Sequence, residues 1–289
     1  MRPFLLVLKE SNLKITFLIL FLLLANSTAQ AATRFAAVNG SINTVCSIGV
    51  PCELIHAIEQ TGPGDILEIR GGIYNKRLNS NTVAFKSGTS YDNAPIFRAY
   101  NGETVIIKPT ATGGAILNLA TSAASPNLQY QIWQDIIFDG SGGIFAGQGP
   151  TDGDSNVAVG FGNGGVSGPD AHHIRMIRIT SRNNQSGNPK IISAVGNGFQ
   201  MGDGGFNENL QCVAHDNGNF IDPDGKAGYG IYLGGSNNII DGCRIYNNGG
   251  YAIHQFGSGV SNFNNNVLKN NTIYDKRHPR HAVHGQHRP

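Results

Sequence analysis

Residues 228–250 read GYGIYLGGSNNIIDGCRIYNNGG. The stretch holds two short apolar-alternating segments, each of about half a dozen residues or fewer, which is ordinary strand length. Gly-Gly-Ser-Asn-Asn and Asn-Asn-Gly-Gly follow them, residue types that serve where a chain bends or takes a positive φ. Nothing in the stretch has helical periodicity. A unit this small cannot bury its apolar side chains alone, so it implies copies of itself stacked above and below.

The copies can be found. A pattern apolar-x-x-X-x-apolar fits Ile132/Asp135/Ile137, Ile174/Ile177/Ile179, Ile240/Cys243/Ile245 and Leu268/Asn271/Ile273, with a degenerate Asn209/Cys212/Ala214 in the gap. A second column reads VAV at 157–159, FQM at 199–201, IYL at 231–233 and IHQ at 253–255. Two columns that alternate without helix-length segments between them mean stacked coils, not βαβ units. With 39 glycines in 289 residues, the composition also points to a turn-rich, all-β solenoid of parallel strands in one domain.

The ends differ from the body. Arg2, Lys9 and Lys14 precede an apolar run from Ile15 to Ala25 and then Ala29-Gln30-Ala31. This reads as a cleaved export signal, too short to span a bilayer, which sets residues 1–31 apart from the fold. The expected location is secreted or periplasmic, with no membrane association after cleavage. Residues 32–275 form the solenoid, and 276–289 (KRHPRHAVHGQHRP) read as an irregular, basic, His-rich tail without strand pattern. That tail fits a metal-binding tract and a truncated or frame-altered end equally well. The formal charge of +2 comes from the leader and tail; the body is slightly acidic, which excludes nucleic acid as an expected partner.

In an exported chain, Cys46 and Cys52 are expected to pair. Cys212 and Cys243 fall at the same coil position one turn apart. There, free thiols are favoured over a bridge, because stacked Cβ vectors run parallel.

Residues 56–74 read HAIEQTGPGDILEIRGGIY. A short amphipathic helix over 53–60 stops at Gly62-Pro63-Gly64, a strand follows over 65–70, and Gly71-Gly72 turns it. This segment, together with the repeat over 228–255, resembles right-handed parallel β-helix proteins of the pectate-lyase-like class, over about residues 50–275. The resemblance implies a single-stranded right-handed parallel β-helix with an N-terminal capping helix. It also implies a superfamily of polysaccharide lyases, epimerases and uncharacterised secreted proteins. FIDPD at 220–224 is similar to the Asp-Pro-His motif of alginate C5-epimerases, but Asp224 stands in the His place and that role is not carried over.

The connections from the first column to the second shorten along the chain, from Ile137–Val157 through Ile179–Phe199 and Ala214–Ile231 to Ile245–Ile253. Insertions at equivalent places emerge on one edge and wall a groove suited to a long polymer. By analogy of fold, that polymer is an acidic, uronate-containing polysaccharide acted on by a monomer.

Residues 216–226 (DNGNFIDPDGK) offer Asp216, Asp222 and Asp224 as oxygen ligands for Ca²⁺; ordinary turn chemistry explains the same residues. If the second column buries Phe199, Met201, Ile231, Leu233 and Ile253, then Gln200, Tyr232 and His254 point out one above another. Arg178, Arg244 and Tyr246 flank buried isoleucines in the same way. Lys226, Arg244, His254 and Tyr232 would supply the cation and base for β-elimination, with Arg178, Gln200 and Tyr246 as substrate contacts. Solvated polar strand faces explain these residues too, and a non-catalytic carbohydrate-binding or surface solenoid is the alternative function. A hydrolase built on Asp222/Asp224 ranks lower, since neighbours on one loop rarely flank a glycosidic bond. His172 and His173, as adjacent strand residues, are expected on opposite faces.

Overall fold

Ile240, Cys243 and Ile245 are fully buried, whereas Asp241 and Arg244 beside them are not, so the alternation in the repeat is a true inside–outside pattern. The computed structural model describes residues 31–42, 45–109, 115–119, 128–142, 159–160, 171–184, 196–202, 204–218, 228–256, 264–274 and 283–286; the leader read from the sequence lies outside them. Each coil gives one strand to each of three parallel sheets. Coil 1 runs Ile66–Ile69, Gly72–Tyr74, Leu78–Asn79, and coil 2 runs Ile96–Ala99, Val105–Ile107, Leu117–Asn118. Coil 3 is Gln129–Gln134, Ile136–Asp139, Val159–Gly160, and coil 4 is His172–Ile177, Thr180–Arg182, Phe199–Met201. Coil 5 is Glu208–Leu210, Val213–His215, Ile231–Leu233, and coil 6 is Ile239–Asp241, Arg244–Tyr246, Ile253–Phe256. Coil 7 is Val267–Lys269, Thr272–Tyr274, Val283–Gln286. The first, second and third strands of the coils build sheets 1, 2 and 3. Among the described residues, no helix is long and apolar enough to cross a membrane.

The start is covered as the sequence implies. Helix α1 (Leu54–Gln60) buries Leu54, Ala57 and Ile58, and the Glu53 side chain caps it by accepting from the His56 amide. An unanticipated strand, Thr33–Ser41, pairs with Ile66–Ile69 and gives sheet 1 its first edge. Cys46 and Cys52 are bonded.

The single apolar column seen in the sequence is two sheets joined by a one-residue bend. Asp135, Arg178, Gln211, Gly242 and Asn270 all take positive φ, from 52° to 68°. Each of the first four donates its amide to a carbonyl of the next coil. Because this bend costs a residue, the register matters. The inward column of sheet 1 is Trp133, Met176, Asn209, Ile240 and Leu268, and that of sheet 2 is Phe138, Ser181, Ala214, Ile245 and Ile273. The sequence alignment is therefore right in coils 5–7, one residue early in coil 3 and two early in coil 4. In coil 3, Ile132 and Ile137 misled it by being apolar on the outer face, where a single slip inverts every side chain; in coil 4, Ile174 and Ile179 are themselves fully buried, and a slip of two keeps the same face. In sheet 3, Val159, not Val157, pairs with Phe199, and Val157 lies outside the described residues.

Two further expectations are corrected. Cys212 and Cys243 are joined, with Cα atoms 4.4 Å apart; stacking in register brings parallel positions to the short end of the range a bridge can span. The tail contributes Val283–Gln286, which pairs in parallel with Ile253–Phe256, so strand pairing continues into the segment read as irregular.

Buried asparagines tie the coils together. Between sheets 2 and 3, the Asn184 side-chain amide donates to Asn217 Oδ1 at 2.7 Å, and that of Asn217 to Asn248 Oδ1 at 3.0 Å. A second ladder before sheet 1 runs through Asn207, Asn238 and Asn266, each side-chain oxygen accepting an amide from the coil before. Backbone groups turned inward at a corner would otherwise be unsatisfied.

Candidate functional site

Sheet 2 buries one face and turns the other outward. Its outward positions align into two columns. One contains Thr180, Val213, Arg244 and Thr272; the other contains Asp139, Arg182, His215, Tyr246 and Tyr274. In the second column, Arg182 Nε donates to Asp139 Oδ2 at 2.8 Å. The His215 ring stacks on Tyr246 at 4.8 Å and 6°, and Tyr246 on Tyr274 at 4.9 Å and 3°. These spacings are the strand-to-strand repeat. The ring faces are therefore used by each other, and the column offers polar edges: a guanidinium, an imidazole and two phenols, one per coil. Arg244 stands beside it, its Cζ 5.9 Å from the Tyr246 ring centroid.

His215 is held by its neighbour. Asp216 has φ 55°, and this left-handed bend at the sheet 2 to sheet 3 corner brings its carboxylate back to the imidazole, with His215 Nδ1 2.6 Å from Asp216 Oδ2. Against a carboxylate, Nδ1 carries the proton and donates, which leaves the lone pair on Nε2. Burial, followed by Tyr274, raises the Tyr246 phenol above its ordinary pKa despite the opposing Arg244, so the hydroxyl keeps its proton at neutral pH.

Asp139 anchors the column. Its burial favours the protonated form, but hydrogen bonds from Ser141, Asn183 and Arg182 outweigh that and lower its pKa to about 2. A depressed carboxylate contributes stability above its unfolded pKa and loses it as pH falls through the folded value. The Asp139 contribution, about 2 kcal/mol, should be present at pH 5 and vanish between about pH 4 and pH 2. Urea unfolding of wild type and Asp139→Asn at pH 5 and pH 2.5 checks this: the gap in midpoint should shrink at the lower pH.

The structure separates the residues singled out in the sequence. Asp216, Arg244 and Tyr246 come together with His215 on sheet 2. Gln200, Tyr232 and His254 do form one column, but on sheet 3, where His254 is largely buried by Tyr229 at 4.4 Å and Tyr232 at 5.4 Å. Arg178 is not a strand residue; it occupies the bend between sheets 1 and 2 and forms a two-pronged pair with Asp135 at 2.6 and 2.8 Å. The expected grouping of Arg244 with Tyr232 and His254 thus falls on two sheets. Lys226, Asp222 and Asp224 lie outside the described residues. Among the described residues, Asp216 belongs to no group of three metal-ligating side chains; the group that exists is Cys46, Cys52 and His56, whose sulfurs are bonded to each other. Sequence reading missed His215, Arg182, Asp139 and Tyr274. A signal for His215 was present: it follows Cys212 by the same three positions that separate Tyr246 from Cys243.

The strands of sheet 2 end at Asp139, Arg182, His215 and Tyr246 and those of sheet 3 begin at Val159, Phe199, Ile231 and Ile253, so these connections start from one corner in successive coils; most of their residues lie outside the described ones. The His215 column lies on the strands that feed this corner.

The crystal structure of pectate lyase Pel9A matches with a TM-score of 0.55 over 85% of this chain and 54% of that chain, at 17% identity. The fold is a pectate-lyase-like right-handed parallel β-helix. A rhamnogalacturonan lyase matches with a TM-score of 0.41 and 13% identity, over 89% of this chain and 60% of that one. The chain thus spans little more than half the length of either protein. No protein-family model matches the chain, and no curated protein matches it in sequence. At such identities the likeness is one of fold, and the chemistry of this β-helix has to be read from its own side chains.

Proposed function

We propose that the protein is an exported β-helix that binds an acidic, uronate-containing polysaccharide along sheet 2 and cleaves it by β-elimination. The observation that carries this reading is the carboxylate-held His215 in one outward column with Arg182 and Tyr246, with Arg244 beside them. β-Elimination on a uronate needs a positive charge against the carboxylate, a base for the C5 proton and an acid for the departing oxygen. Arg182 and Arg244 supply the charge, which stabilises the developing enolate-like anion. His215 Nε2 takes the proton from C5. The C5–H electron pair becomes the C4=C5 double bond, the C4–O bond breaks, and the protonated Tyr246 hydroxyl gives its proton to the leaving oxygen.

In this reading Asp216, Asp222 and Asp224 would hold a Ca²⁺ ion, which would add positive charge to that of the arginines. Oxygen-rich acidic loops suit this hard cation. The protein is to be incubated with alginate, pectate and chondroitin while ultraviolet absorbance of the unsaturated product is followed, with and without chelator. Product on a uronate polymer is expected, with a rate that a chelator lowers and added Ca²⁺ restores. An unchanged rate would assign charge neutralisation to the arginines alone. No product on any of the three polymers would remove the lyase reading and leave a non-catalytic binding solenoid.

A further inference from the structure

His172 and His173 were expected on opposite faces, and they are not. His173 takes φ 55° at the corner leading into sheet 1, so the two rings turn toward each other with their Nδ1 atoms 2.7 Å apart. The corner repeats in the coils on either side, where Tyr130 and Phe206 also have positive φ. Their rings clamp His173 from both sides, Tyr130 at 4.5 Å and Phe206 at 4.9 Å and 1°. Flanked by a stacked ring on one side and a ring tilted by 30° on the other, His173 is restrained with its Nδ1 beside that of His172 before any ligand arrives.

The chemistry of the pair is specific. Two nitrogens each about 2.0–2.1 Å from one ion and at right angles to each other are about 2.9 Å apart, close to the observed 2.7 Å, and on binding the rings tilt so that both lone pairs face the ion instead of each other. We propose that His172 and His173 form a dihistidine chelate for a late first-row divalent metal, with Cu²⁺ held most tightly. Imidazole suits these metals, and affinity rises along the series to Cu²⁺. No third ligating side chain completes a group with them among the described residues, so water fills the remaining positions. One Nδ1 bears a proton in the resting pair; on binding, that proton passes through solvent to the Nε2 of the same ring, and the neutral pair binds without net proton release. This site is independent of the proposed lyase chemistry and of the Ca²⁺ loop, since hard Ca²⁺ prefers oxygen ligands.

The test uses the full chain with His278, His281, His284 and His287 changed to glutamine, which removes the tail as a competing ligand. Titration with Cu²⁺, followed by calorimetry, is expected to show a site that His172→Gln and His173→Gln each weaken at least tenfold, while Ca²⁺ gives no heat there. In NMR spectra of the unsubstituted pair, substoichiometric Cu²⁺ should broaden the Tyr130 and Phe206 ring signals first. A Cu²⁺ isotherm unchanged by both substitutions, or first broadening elsewhere, would mean a hydrogen-bonded pair only and overturn the site.

Discussion

Replacing His215 with glutamine is expected to lower turnover on a uronate polymer by about 10²–10⁴-fold, the usual contribution of a positioned general base. Glutamine keeps a planar polar group over Tyr246 but has no lone pair that can take the C5 proton. The Michaelis constant should change little, because Arg182 and Arg244 remain to bind the carboxylate. Asp216→Asn should cost less than His215→Gln: its amide can still touch Nδ1 but no longer enforces the Nδ1–H tautomer against the 2.6 Å carboxylate contact. Rates measured on the polymer that gives most product, with thermal unfolding as a control for folding, decide the point. A loss of less than tenfold in kcat for His215→Gln would place the base elsewhere.

The largest expected effect on stability is at Asn217, which is fully buried. Its Oδ1 accepts from the Asn184 side chain at 2.7 Å and the Asn184 amide at 3.3 Å. Its Nδ2 donates to Asn248 Oδ1 at 3.0 Å and the Ser181 carbonyl at 3.2 Å. Alanine would leave the Asn184 amide without this acceptor and take one partner from the Ser181 carbonyl, at about 1–3 kcal/mol each, weaken the bonding of Asn184 Nδ2 and Asn248 Oδ1, which keep other partners, and leave a small cavity. Asn217→Ala should therefore destabilise by about 3–5 kcal/mol. By contrast, Asn265→Ala removes an exposed side-chain contact to Asn237 and places alanine at φ 61°, together about 1 kcal/mol. Urea midpoints of the two variants test the contrast; equal losses would mean that the buried ladder carries no special share of the stability.

The fold was legible because its signal is repetition. Ile231 and Leu233 in coil 5 and Ile240 and Ile245 in coil 6 follow the inside–outside alternation, which recurs in coil 7, so the stack could be read from local patterns. Where the outer face was apolar, at Ile132 and Ile137, alternation no longer distinguished inside from outside, and the register slipped by one; in coil 4 the buried Ile174 and Ile179 fit the pattern two residues early. The bends were also hidden. A left-handed residue is easily read as such when it is Gly242, but not when it is Arg178 or Gln211, and only those bends reveal that sheets 1 and 2 are separate. The site suffered most from this. Arg244 is recognisable in the sequence beside Lys226, Tyr232 and His254, and Tyr246 beside Arg178 and Gln200, but residue patterns alone do not assign the two columns to separate sheets. His215 was passed over because its coil carries Asn209 and Ala214 where the repeat expects larger apolar residues. The His215–Asp216 contact depends on the positive φ of Asp216, which no residue pattern announces.

The central claim is that the outward column of sheet 2, and not that of sheet 3, meets the polymer. Hydrogen–deuterium exchange of the full chain with and without pectate or alginate oligomers tests it most directly. Slower exchange is predicted in peptides carrying Arg182, His215–Asp216 and Arg244–Tyr246, with those carrying Gln200 and Tyr232 unchanged. Protection confined to the Gln200, Tyr232 and His254 strands would contradict the claim and move the binding face to sheet 3.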